Sequence, residues 1–174
     1  MINFSNIAYL KDGNERQQLA FKFLTERKVL SNISAFDPIL VGTIPIEIDI
    51  ESSDLDIICC FEDKKKFTVS LVEVFGKEPQ FTVKEVMING VASIIANFHL
   101  EIFEVEIFGQ QIPVKQQHAY RHLLIEHEIL RAKGEAFRLE IIKLKRGGYK
   151  TEPAFARLLG LKGDPYLALL AYQH

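Results

Sequence analysis

A chain of 174 residues is about the size of one domain with one full hydrophobic core. Its 48% apolar and 25% charged residues are an ordinary globular balance and exclude a low-complexity or disordered protein. A net charge of −2 excludes a generic nucleic-acid binder, which needs a clear positive excess, although a local basic groove fits within such a sum. Residues 1–10 lack the basic start and apolar run of a secretory leader, and no stretch is long and apolar enough to cross a bilayer. A cytoplasmic protein is expected, with no membrane partner. Cys59 and Cys60 are adjacent, so on a strand they point to opposite faces and read as packing residues rather than a bridge.

Residues 14–30 read as an amphipathic helix, with Leu19, Phe23 and Leu24 at helical spacing. Asp37-Pro38 breaks that pattern, and Ile39, Leu40 and Val41 form a short buried strand that stops at Gly42. Residues 44–53 read as irregular, because Pro45 cannot join a ladder and Ser52-Ser53 is turn chemistry. The apolar run 55–61, interrupted only by Asp56, marks a central strand. Asp63 caps a helix that carries Phe67, Leu71, Val74 and Phe75 and ends at Gly76. Strands 81–88 and 91–98 follow, joined at Asn89-Gly90, and a strand 101–108 ends at Gly109. Beyond Pro113 the pattern predicts a helix over 114–133 stopped by Gly134 and another over 135–146 stopped by Gly147-Gly148. Thr151-Glu152-Pro153 starts a third helix, ended by Gly160, and Asp164-Pro165 leads the last. The class is α+β, a mixed sheet flanked by helices with a helical C-terminal tail.

The chemistry is concentrated at Asp54-Leu55-Asp56. Residues i and i+2 of a strand face the same way, so the two carboxylates stand side by side on one face. Buried anions at that spacing repel unless a cation lies between them, and an oxygen-only donor set suits Mg²⁺ or Mn²⁺. A third acid is available from the strand 101–108, where Glu104 and Glu106 share a face opposite Val105 and Ile107. Glu106, bracketed by those apolar residues, is the better candidate, and Glu104 is the alternative. Gly42-Thr43 ends the preceding strand, where exposed N–H groups and the Thr hydroxyl can cradle a phosphate. A phosphate grip plus a carboxylate trio is equipment for in-line attack on a nucleoside triphosphate.

This arrangement resembles the signature of the polymerase-beta-like nucleotidyltransferase superfamily: a Gly-Ser, a spacer, Asp-x-Asp on one strand and a third acid on a later one. Here Gly42-Thr43 precedes Ser53-Asp54-Leu55-Asp56-Ile57, with Asp54 twelve residues after Gly42. Thr43 replaces the usual Ser and keeps the hydroxyl, and the third acid is Glu rather than Asp. The strings Gly42-Thr43-Ile44-Pro45 to Ile48-Asp49, Phe108-Gly109-Gln110 to Pro113, Ala119-Tyr120-Arg121-His122 and Lys150-Thr151-Glu152-Pro153-Ala154-Phe155 resemble a small, uncharacterised bacterial branch of that superfamily, and the chain also resembles the GrpB-like proteins. The resemblance implies one nucleotidyltransferase-like domain over 1–174, with a helix and sheet core in 1–112 and a helical part in 113–174. It implies a two-metal Mg²⁺ or Mn²⁺ site on Asp54, Asp56, Glu106 and Glu104, with Asp54, Asp56 and Glu106 catalytic. Gly42, Thr43, Ser53, Arg121 and His122 would touch the nucleotide. The activity implied is transfer of a nucleoside monophosphate from a triphosphate to an acceptor, which is a small molecule, a protein or RNA.

Other readings stand beside this one. A non-catalytic nucleotide- or partner-binding module, or a toxin–antitoxin-like component, would use the same fold. His118, His122 and Glu126 fall on one helical stripe at the spacing of a zinc site, a pattern more usual in polar surface or a cleft wall. Lys143, Lys145, Arg146 and Lys150 cluster around Gly147-Gly148, near a polyphosphate or as a solvated helix end. Lys64-Lys65-Lys66 reads as a solvated first turn.

Overall fold

The structure is a computed structural model that describes residues 2–172. Strands β1 (Ile39–Val41), β2 (Leu55–Cys60), β3 (Thr82–Ile88), β4 (Val91–Leu100) and β5 (Phe103–Gln110) form a mixed sheet in the order β1-β2-β5-β4-β3. β2 and β5 are parallel, and the other pairings are antiparallel. The apolar run of β2 is buried on both sides, as an interior strand must be. β5 rather than β2 takes the central place.

Alternation along the strands divides the core in two. Leu55, Ile57 and Cys59 of β2, with Val105 and Ile107 of β5, pack against Leu24 of α1 (Glu15–Glu26) and Phe67, Leu71 and Phe75 of α3 (Lys64–Phe75). A four-residue helix, α2 (Val29–Asn32), adds Val29 to that side. Ile39, Val41 and Ile58 face the other way, onto α4 (His118–Lys133), α5 (Glu135–Arg146), α6 (Thr151–Leu159) and α7 (Pro165–Leu170). Asp56 and Glu106 belong to this second face, where a cleft opens between the sheet and the C-terminal helices.

Local chemistry sets the element ends. Asn14 and Gln17 form a reciprocal capping box at the start of α1. The pattern over 14–30 is split because Lys28 adopts a left-handed conformation, φ 52°, between α1 and α2. Asp63 caps α3 through the Lys66 N–H at 3.0 Å, and Asp164 caps α7 through the Leu167 N–H at 2.9 Å. The hairpin at Asn89-Gly90 has both residues at positive φ, as a two-residue loop between right-twisted strands requires. Helix α4 begins at His118 rather than at 114. Gln117 is extended there, and its Nε2 donates to the carbonyls of Cys59 and Ile112, each at 2.9 Å. That bond ties the entry of α4 to β2.

Gly109 does not end its strand. β5 runs through it to Gln110, and a side chain at 109 would meet the Phe67 ring, with an added Cβ only 2.2 Å from Cε1. Phe67 is itself held by Phe36 and Phe61, at ring-centroid distances of 4.8 and 5.2 Å, so the ring has little room to yield. Gly109→Ala is expected to cost roughly 1–3 kcal/mol by overpacking, read as a lower urea midpoint with an unchanged slope. A midpoint equal to that of the parent protein would show that the Phe67 contact relaxes freely.

Candidate active site

The site is built on a row of the sheet. Val41 of β1, Asp56 of β2, Glu106 of β5 and Asn97 of β4 stand at one register level. Neighbouring strands in register are about 4.8 Å apart, which brings the Asp56 and Glu106 carboxylates side by side on one face. Asp54 lies two residues before Asp56, at the mouth of β2. The cleft above this row has a volume of about 990 Å³. Gly42, Thr43, Ser53, Asp54, Asp56 and Glu106 line its sheet side. Its helical side carries His118, His122, Glu126, Lys145, Lys150, Glu152 and Tyr166.

Gly42 makes room for Asp56. It sits at φ 78°, and a Cβ there would fall 2.1 Å from Asp56 Oδ2. Only glycine tolerates both the left-handed backbone and the carboxylate beside it. The loop that follows is held along its length. The Thr43 hydroxyl donates to Ser53 Oγ at 3.2 Å, and Ser53 Oγ accepts from the Ile50 N–H at 2.9 Å. Gln17 donates to the Ile44 carbonyl at 2.9 Å. Arg16 donates to the Ser53 carbonyl at 2.7 Å and pairs with Asp49 at 3.2 Å. These bonds fix the backbone immediately before Asp54.

Burial and mutual repulsion shape the charges. Burial, then the negative charges of Asp54 and Glu106, push the Asp56 carboxyl well above the usual carboxylate range. Burial also raises Glu106, against a long hydrogen bond of 3.4 Å from Asn97 Nδ2. Lys145 is buried on α5, where its ammonium donates to the Ile48 carbonyl at 2.8 Å. Burial lowers Lys145 to about 8, although Glu126, Asp49, Asp56 and Asp54 all favour its charged form. Glu126 on α4 is pushed well above the carboxylate range by burial and by the charge of Glu152.

These shifts fix the sign of the pH dependence. Asp56, Glu106 and Glu126 hold protons more tightly folded than unfolded, so their contribution is full at acid pH and is lost as pH rises through their folded values. Lys145 holds its proton less tightly folded, so stability regained through it grows between about 8 and its ordinary 10.5. The melting temperature in chelator is therefore expected to fall from about pH 5 to about pH 8 and to recover above that. Differential scanning calorimetry across that range checks it, and a monotonic rise through neutrality would contradict the carboxylate assignments.

Several residues expected at the site lie elsewhere. Glu104 is exposed, opposite His99 at the open end of β5, and does not line the cleft. Arg121 is exposed and also outside the lining, because one residue along α4 from buried His122 turns the side chain about 100° away. His122 does reach the cleft wall, but its Nε2 donates to the Tyr166 carbonyl at 3.0 Å and its Nδ1 lies 3.5 Å from Glu152. Among the described residues no group of three or more His, Cys, Asp or Glu side chains is set to hold a metal ion, and that covers both the carboxylates and the His118, His122, Glu126 stripe. Of the basic cluster, Lys145 and Lys150 face the cleft, whereas Lys143 pairs with Glu140 at 3.2 Å and Arg146 with Glu51 at 2.7 Å.

The sequence profile of the family DUF4269, described as a domain of unknown function, matches residues 22–172. The chain belongs to the DUF4269 family. No curated protein matches the sequence. Among solved structures, the DUF4269 chain is similar to a chain of the GLD-2/RNP-8 complex, with a TM-score of 0.55 and 14% identity over 82% of this chain and 57% of that one. It is similar to the Cid1 poly(U) polymerase bound to Mg 3′-dATP, with a TM-score of 0.54 and 14% identity over 90% of this chain and 48% of that one. The polymerase core of TRAMP, an RNA surveillance complex, gives a TM-score of 0.53 and 12% identity over 94% of this chain and 50% of that one. At these identities the likeness establishes the fold, which is nucleotidyltransferase-like. The DUF4269 chain spans 40% to 57% of the length of such proteins.

Proposed function

We propose that this DUF4269 protein is a metal-dependent nucleotidyltransferase that moves a nucleoside monophosphate from a triphosphate to an acceptor. The observation that carries the reading is the register pair Asp56 and Glu106, on parallel neighbouring strands, with Asp54 two residues upstream on the same cleft. Proteins of similar fold are named for RNA terminal uridylyl transfer, and one is bound to Mg and a nucleotide. The same reading places the protein in the cytoplasm and in a bacterial branch akin to the GrpB-like proteins. No helix among the described residues is long and apolar enough to cross a membrane.

The donor set fits Mg²⁺ or Mn²⁺ in a particular way. A closed protein cage is absent among the described residues, but Mg²⁺ is commonly held by one or two carboxylates together with substrate phosphates. Asp54 and Asp56 would supply those carboxylates, and Glu106 would complete the set. The metal, when bound, neutralises charge on the phosphates during displacement. Gly42, Thr43 and Ser53, at the same end of the cleft as Asp54, would border the phosphates. The acceptor oxygen would bond to the α-phosphorus as the bond to pyrophosphate breaks, and the acceptor proton would pass to a carboxylate of the trio.

One other reading is a nucleotide-binding module without catalysis, which would use the Gly42, Thr43 and Ser53 side of the cleft alone. A transfer screen separates the two: all four labelled triphosphates, with Mn²⁺ or chelator, against candidate small-molecule, protein and RNA acceptors. Metal-dependent transfer, lost in Asp54→Asn, is the expected result. Triphosphate binding of equal strength in chelator, with nothing transferred, would leave the module.

A further inference from the structure

The helical wall of the cleft carries groups that nucleotide and metal binding leave unused. Glu126 is 3% exposed and lines the cleft, and its buried Oε1 has no hydrogen-bond partner. Buried polar atoms are satisfied almost everywhere in folded proteins, so an orphaned carboxyl oxygen in a cleft wall marks a place for a donor. Its neighbours already make hydrogen bonds. Lys145 of α5 donates to the Ile48 carbonyl, and His122, also on α4, bonds to the Tyr166 carbonyl of α7 and faces Glu152 of α6. Glu152 of α6 lines the same cleft as Glu126 and the strand acids.

The ligand that fits two carboxyl groups with a free acceptor oxygen is a donor-only cation. A primary ammonium offers three N–H donors and no acceptor. A nucleic-acid chain fits this wall poorly, because it needs a run of free cations. Among the described residues that line the cleft the only lysines or arginines are Lys145, bonded to the Ile48 carbonyl, and Lys150, too few for such a run. We propose that Glu126 and Glu152 form the acceptor subsite of the cleft, and that it takes a small molecule through a protonated amine. The term acceptor rests on the transferase reading; the amine site itself does not.

The test compares molecules that differ only in that group. Binding of glucosamine against glucose, and of ethanolamine against ethylene glycol, is measured by ligand-observed NMR on the full chain. Each amine is expected to bind at least about tenfold more tightly than its neutral twin, as a charge-assisted hydrogen bond requires. Glu126→Gln and Glu152→Gln are each expected to erase that preference, with thermal melts showing that both variants fold. Equal binding of amine and neutral twin, or a preference that survives in both variants, overturns the proposal. So does a single-stranded RNA oligomer that binds more tightly than either amine. Mn²⁺-triphosphate binding by the parent protein is measured in parallel. Amine preference without triphosphate binding refutes the transferase reading and leaves the amine site, and triphosphate binding without amine preference does the reverse.

Discussion

Asp56→Asn is expected to abolish metal-dependent transfer and at the same time to raise the melting temperature of the metal-free protein. Under the proposed function, losing this carboxylate would remove about 4 kcal/mol of transition-state stabilisation, a rate loss on the order of a thousandfold. The gain in stability has the opposite origin. Asp56 is buried beside Asp54 and Glu106, and burial and both of those charges disfavour its ionised form, against the smaller opposing pull of Lys145. Asn has nearly the same shape, so the slot beside Gly42 stays filled while the repulsion disappears. A gain of about 1–2 kcal/mol corresponds to roughly 2–8 °C for a protein of this size. Glu104→Gln is the control, since Glu104 is exposed and outside the cleft, and it should change neither quantity. Single-turnover transfer and calorimetry on the three proteins check both halves. A variant Asp56→Asn that transfers at the parent rate would remove Asp56 from the chemistry whatever its effect on stability.

The elements that carry strong local signals were legible in the sequence. A continuous apolar run locates β2, and turn and cap chemistry locate the Asn89-Gly90 hairpin and the helix starts at Asp63 and Asp164, because those depend on a few adjacent residues. Strand order was not legible, since the parallel pairing of β2 with β5 joins segments about 50 residues apart and leaves no local trace. Gly109 shows the same limit: read locally it is a strand stop, whereas its actual role is to admit the Phe67 ring from α3. At the cleft, the strand carboxylates stand out because acids interrupt an apolar run. Glu126 and Lys145 carry the matching helical signal. Glu126 lies in the stripe of Leu123, Ile129 and Leu130, and Lys145 lies one turn after Ile141, so each is a charge on a buried face. Read by type rather than by face, they fell instead into a metal stripe and a basic cluster. The exposure of Arg121 follows from the same geometry, one step around the helix from His122.

Lys145→Met is expected to destabilise the protein by about 1–3 kcal/mol, the cost of a buried carbonyl left without its donor, partly offset by relief of the ammonium's own burial. Methionine keeps the apolar stem of the side chain and removes only the ammonium, so the loss is electrostatic rather than a cavity. That ammonium donates to the Ile48 carbonyl and faces Glu126, Asp49, Asp56 and Asp54. Its removal leaves a buried carbonyl without its donor and the carboxylates without their nearest buried cation. Two further results separate this account from a simple packing defect. The recovery of stability above about pH 8 should vanish in Lys145→Met, because that rise comes from the lowered Lys145. Adding Glu126→Gln to Lys145→Met should restore part of the lost stability, since one of the uncompensated acids is then gone, and the two changes should combine non-additively. Urea denaturation of both single variants and the double variant closes the cycle. Strict additivity, with the alkaline recovery intact, would show that Lys145 stabilises through its stem and carbonyl bond alone and that the cleft carboxylates do not feel its charge.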